Sequence, residues 1–169
     1  LGIAKSFQIT NVFPQLSALE NVRVAVQALH TQYDAWTPRW QLRELEERAA
    51  DLLAMVGLAD RRHVVAENLA HGDQRSLEIA MALACEPRLL LLDEPTAGMS
   101  PEEARAMMDL ILHLHESRTV ILVEHRMKLV MGISQRIVVL HQGRLLAEGT
   151  PEDIRANDQV RQVYLGQSV

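Results

Sequence analysis

Two carboxylates stand side by side at Asp93-Glu94, directly after four leucines (Leu89–Leu92) and before Pro95. An apolar run of this length, bounded by prolines, predicts a strand buried on both faces of a parallel sheet. Such a strand would deliver both acids to its C-terminal end, the edge where open α/β sheets bind their ligands. Asp93 could hold magnesium there, a hard cation that takes oxygen ligands and keeps much of its water shell. Glu94 could orient or deprotonate an attacking water. On these two residues alone, the alternative is a strand followed by a solvated acidic turn.

Two further segments bear on the choice. The apolar run Thr119–Val123 predicts a second buried strand, and His125 follows it at the same edge, a place from which an imidazole could sense or orient a phosphate. The stretch LAHGDQRSLEIAMALA at 69–84 reads as a glycine-containing turn leading into a helix from about Gln74 to Cys85. The start of a helix carries unpaired N–H groups and the positive end of the dipole, so it favours an anion. A plain helix cap would look similar.

The elements that must position these residues follow from periodicity. A short strand near Ile3–Phe7 opens the chain. Ser17 and Glu20 have capping-box spacing and predict a helix with Leu19, Val22, Val26 and Leu29 inward. Residues 30–39 form a loop with Trp36 and Trp40 as packing anchors. A second helix runs from Trp40 to Val56, with Leu42, Leu45, Ala49, Leu52, Leu53 and Val56 inward, a Glu44–Arg48 pair on its surface and Gly57 as its stop. Pro101-Glu102-Glu103 starts another helix. Met127–Ile133 is helical and Arg136–Leu140 a third strand. Gln142-Gly143 turns back into Arg144–Glu148, and Thr150 caps a last helix with Pro151 at its first position. This order predicts a partial α/β core preceded by a helical insert.

Composition narrows the classes. The 169 residues are 48% apolar, enough for a real core, and 23% charged. With a net charge of −5 and no run of lysine or arginine, a nucleic-acid-binding domain is not indicated. Cys85 is the only cysteine, which excludes an internal disulfide and a cysteine-rich metal site; its apolar neighbours predict a buried packing role. No apolar stretch approaches the roughly 18 residues of a membrane span. The chain reads as cytoplasmic.

Together these residues resemble, in order along nearly the whole chain, the ATPase subunit of an ABC transporter. Gln8 stands at the Q-loop glutamine and Leu69–Asp73 at the signature Leu-Ser-Gly-Gly-Gln. Asp93 and Glu94 stand at the Walker B aspartate and catalytic glutamate, Ala97-Gly98-Met99-Ser100 at the D-loop, and His125 at the switch histidine. The resemblance implies a P-loop NTPase fold in four parts: 1–13, the Q-loop end of the core; 14–85, a helical subdomain with the signature; 86–149, the α/β core; and 150–169, a C-terminal helix. It implies ATP and Mg2+ as ligands, with Glu94, His125 and Gln8 catalytic, Asp93 and Gln8 toward the metal, and Leu69, Ala70, His71, Gly72, Asp73 and Gln74 toward nucleotide. GIAKSFQ, LEIAMAL, TAGMSPEE and AEGTPEDI followed by VYLG are similar to ATPases that import branched-chain amino acids and related small solutes.

Three departures qualify it. Ala70 replaces the signature serine, Asp73 its glutamine, and Ser100 the D-loop aspartate. The phosphate-binding pattern Gly-x-x-x-x-Gly-Lys-Ser/Thr is also missing: Lys5 and Lys128, the only lysines, follow Ala4 and Met127. In the family this loop lies upstream of the Q-loop, so the 169 residues are expected to be an N-terminally truncated stretch, without ATP affinity of their own. The resemblance implies a head-to-tail dimer with a second ATPase subunit, membrane-spanning permease partners, indirectly a solute-binding protein, and a place at the inner face of the membrane. A non-transport ABC ATPase or a catalytically silent module of this fold are the alternatives.

Overall fold

The computed structural model describes residues 2–5, 12–30 and 39–165, and its chain falls into two compact units, Leu1–Val123 and Glu124–Val169. In the first, β1 (Ile3–Lys5), β2 (Leu89–Asp93) and β3 (Thr119–Val123) form a parallel sheet in the order β1-β2-β3. Lys5 lies opposite Leu91 and Leu91 opposite Ile121, and Asp93 at the end of β2 faces Val123. Period-two alternation sorts the strands into two faces. Leu90 and Leu92 are fully buried on one face, while Ile121 and Val123 on the other are 46% and 54% exposed. The expectation of strands buried on both faces is therefore corrected: β3 has no covering element on its odd-numbered side among the described residues, and Leu89 and Leu91 are only half-buried.

Between β1 and β2 come three helices that pack on one another: α1 (Ala18–His30), α2 (Arg39–Met55) and α3 (His71–Leu83). The start of α1 carries the expected box, with the Ser17 hydroxyl accepting from the Glu20 amide and the Glu20 carboxylate accepting from the Ser17 amide. Leu19, Val22 and Val26 are buried as their spacing requires. Asn21, fully buried beside them, satisfies its whole amide on the loop before the helix: Oδ1 accepts from the Phe13 amide at 2.7 Å and Nδ2 donates to the Phe13, Leu16 and Ser17 carbonyls. In α2, Leu45, Ala49 and Leu53 face inward, and Val56 is buried just beyond the helix. The expected Glu44–Arg48 pair does not form. Arg48 pairs instead with Glu86, and the i,i+4 pair on this helix is Arg43–Glu47. Leu29, Trp36, Leu42 and the Trp40 side chain lie outside what is described.

The third helix starts three residues earlier than expected and ends at Leu83. Cys85 thus sits past the helix in a turn and is exposed, a correction to its expected burial. From β2 the chain passes through α4 (Pro101–His115), which packs on β3 and α3, before entering β3.

The second unit contains α5 (Met127–Ile133), the strands β4 (Ile137–His141) and β5 (Arg144–Gly149), and α6 (Pro151–Ala156), followed by helical turns to Leu165. The third predicted strand does not extend the parallel sheet; β4 pairs with β5 as an antiparallel hairpin. Its two-residue turn puts Gln142 and Gly143 at φ of 49° and 74°, the left-handed pair whose twist matches a hairpin. Ile137, Val139, Ile154 and Val160 form the small core of this unit. Thr150 and Asp153 cap α6 reciprocally. Among the described residues no helix is long and apolar enough to cross a membrane.

Candidate functional site

Asp93 ends β2 half-buried, and hydrogen bonding continues one residue further, with the Glu94 amide donating to the Val123 carbonyl at 2.8 Å. Glu94 then turns the chain at φ 47°, a left-handed conformation uncommon outside glycine and asparagine. Glu86 and Gln142 share that region in ordinary turns, so conformation alone does not mark the residue. Its place does, because the turn lies at the C-terminal edge of a parallel strand. The Ala97 amide closes the turn on the Glu94 carbonyl at 3.1 Å, and the Met99 amide donates to the carbonyl of fully buried Thr96.

Residues 97–100 lead directly into α4. Ser100 is its cap: the hydroxyl accepts from the Glu103 amide at 3.2 Å, and Glu103 Oε2 accepts from the Ser100 amide at 2.9 Å. That backbone bond first, and the Ser100 hydroxyl second, hold the half-buried Glu103 carboxyl below its ordinary range. The Ser-x-x-Glu spacing at 100–103 is a capping-box signal local enough to stand in the sequence.

The signature segment lies beside this loop. Leu69 is buried and Gln74 Nε2 donates to the Ala66 and Leu69 carbonyls, both at 3.2 Å, so these two brace the segment. Ala70 occupies the N-cap position of α3 without any side-chain cap. Since the first intrahelical bond is from the Gln74 amide to the Ala70 carbonyl, the amides of His71, Gly72 and Asp73 have no carbonyl of their own helix to bind. The Asp73 carboxylate would repel an anion there, but Arg61 pairs with it. Nothing in the sequence singled Arg61 out; only the turn at Ala59–Arg61 brings it round. His71 Nε2 lies 3.1 Å from the Ala97 carbonyl oxygen, and Gly72 abuts the Glu103 carboxylate. The structure therefore brings 69–74 and 94–103 together in one unit.

His125 belongs to the second unit, two residues along the chain from Val123. Its ring is two-thirds exposed, and its amide donates to the carboxylate of Glu124, whose side chain is fully buried. Glu124 went unremarked in the sequence. Gln8 lies outside the described residues. Among the described residues no group of three or more His, Cys, Asp or Glu could hold a metal by itself.

Residues 2–97 match the family described as ABC transporter, and the chain is 43% identical over 176 residues to the high-affinity branched-chain amino acid transport ATP-binding protein LivG of Salmonella typhimurium, covering 99% of this chain and 69% of that protein. The chain belongs to the ATP-binding cassette family of transport ATPases. Residues 144–169 also match a family described as branched-chain amino acid ATP-binding cassette transporter. The ADP conformation of the cassette MJ1267 shares the fold at a TM-score of 0.79 and 24% identity, over 98% of this chain and 68% of that one. A dimeric post-hydrolysis state of the cassette MJ0796 bound to ADP and Pi superposes at 0.71 with 28% identity, over 88% of this chain and 62% of that one. As an ABC ATPase, the chain presents a parallel core sheet and a helical subdomain, the architecture of these relatives.

Proposed function

We propose that this ATP-binding subunit hydrolyses ATP to drive import of branched-chain amino acids or a closely related small solute. The hydrolytic part is carried by the Asp93-Glu94 pair, placed at the C-terminal edge of β2 with Glu94 fixed in its turn by the Val123 and Ala97 backbone bonds. Asp93 would hold the magnesium that accompanies ATP, which neutralises charge on the phosphates. Glu94 orients the attacking water and accepts its proton. The open amides of His71, Gly72 and Asp73 bind terminal-phosphate oxygens as backbone donors, the role left to them because Ala70 has no hydroxyl. Gln8 and His125 act as magnesium-linked and phosphate-orienting groups, respectively. A second copy or a paralogous subunit completes each site, and permease subunits receive the motion.

The identity to LivG and the match at 144–169 support the solute class. The test is the subunit assembled with its membrane partners. Glu94→Gln is expected to abolish leucine-stimulated turnover while ATP binding persists. Normal hydrolysis by that variant removes Glu94 from its role; wild-type turnover that ignores leucine, isoleucine and valine overturns the solute class.

A further inference from the structure

His71 is the first residue of α3, and its ring reaches across to the loop that follows Glu94. Nε2 lies 3.1 Å from the Ala97 carbonyl oxygen. A carbonyl only accepts, so the bond requires the tautomer with its proton on Nε2. The peptide on the other side of Ala97 is engaged as well, its amide donating to the Glu94 carbonyl at 3.1 Å. Ala97 thus receives a bond from the signature helix at its carbonyl and gives one to the catalytic turn through its amide.

The neighbouring backbone is shaped around the imidazole. Gly98 has φ 76°, and a Cβ there would stand 3.2 Å from His71 Nε2 and 3.4 Å from Cδ2. The positive φ favours glycine at this position, and a Cβ would also crowd the ring by a few tenths of an ångström. Glu103 lies on the same side, its carboxylate against Gly72.

We infer that His71 is a positioning residue: its Nε2–H bond to the Ala97 carbonyl ties the anion-facing start of α3 to the turn that fixes Glu94 in the same subunit. This rests on the ATPase reading above and deepens it. A phosphate that docks on the α3 amides presses, through His71 and Ala97, on the turn that aims the general base. Occupancy at the start of α3 is thereby reported to the catalytic carboxylate.

The experiment compares His71→Phe, which fills the space without a donor, with His71→Gln, whose Nε2 can reach the same carbonyl. Both are measured in the ATP-hydrolysing subunit for kcat, KM for ATP and hydrogen exchange at the Ala97 amide. The expected result is a kcat lowered about tenfold in His71→Phe with KM little changed, faster exchange at Ala97, and recovery of both by His71→Gln. Loss of kcat in both variants alike, or wild-type kcat and exchange in His71→Phe, overturns the inference. If the wild type shows no ATP turnover, the functional reading fails by itself. The exchange comparison still decides whether His71 holds the turn.

Discussion

Two helices begin side by side at the candidate site, and their first turns are built in opposite ways. At the start of α4, Ser100 and Glu103 bond each other's backbone amides and Pro101 has no amide to satisfy. At the start of α3 the cap position is Ala70, and three successive amides are left for something else. The helices are of similar length, 15 and 13 residues, so the contrast does not come from a need for stability in one and not the other. Helices α1 and α6 side with α4, each closed by a reciprocal box. The difference separates helix starts completed by their own side chains from the start of α3, whose open amides the proposed function gives to a ligand; the short helix α5, with Arg126 at its cap position, is uncapped as well. It also sets the departures at Ala70 and Ser100 apart: one leaves a helix start without a side-chain cap, and the other installs a cap where the chain turns into a helix.

The most severe way to break the contrast is to close the open helix. In Ala70→Asp a carboxylate would take the amides at the start of α3, as Asp does at N-caps generally. ATP turnover by the assembled subunit is expected to fall about tenfold or more, the scale of losing preorganised anion donors. The unfolding midpoint should hold or rise. Undiminished turnover in this variant shows that the α3 amides do not contact the phosphate.

The converse change opens the closed helix. Ser100→Ala removes the cap of α4 and should cost about 1 kcal/mol of stability, read from urea denaturation, with turnover retained. If turnover drops as far as in Ala70→Asp, the two helix starts are not functionally distinct and Ser100 has a nucleotide role.

How much of this was legible in the sequence follows from the range of each interaction. The box at Ser17–Glu20, the turn at Gln142-Gly143 and the cap at Thr150 are local, so spacing alone located them. Asp93-Glu94 was readable because four leucines force a buried strand and Pro95 ends it. The start of α3 lies three residues before its expected place because Ala70 is a poor cap, so the usual signal of a helix start is missing there. Arg61 pairing with Asp73, and His71 reaching Ala97, join residues 12 and 26 positions apart. No periodicity announces such contacts; the first exists only once the turn at Ala59–Arg61 folds against α3, and the second only once the loop before α4 lies beside it. Cys85 was misplaced for a related reason: the helix that would have turned it inward ends two residues before it.

The smallest expected effect separates the same helix starts by pH. Hydrogen bonds from Ser100, Ser17 and Thr150 hold Glu103, Glu20 and Asp153 below their ordinary values, near 4.5 for the glutamates and 3.8 for the aspartate. A carboxyl depressed in the folded state takes up its proton more readily when unfolded. Its contribution is therefore complete above the unfolded value and is lost as pH falls through the folded one. Stability should accordingly decline with acid from about pH 4.5 downward, and Ser17→Ala, Ser100→Ala and Thr150→Ala should each flatten that decline slightly in urea titrations at stepped pH. The uncapped start of α3 has no such carboxyl bonded across its first turn. Ala70→Asp would supply one, so that variant should lose stability more steeply than wild type over the same acid range, even though it starts no less stable at neutral pH. A slope equal to wild type would mean that the new carboxylate never settled on the amides, and any fall in turnover would then need a different cause from the closing of α3.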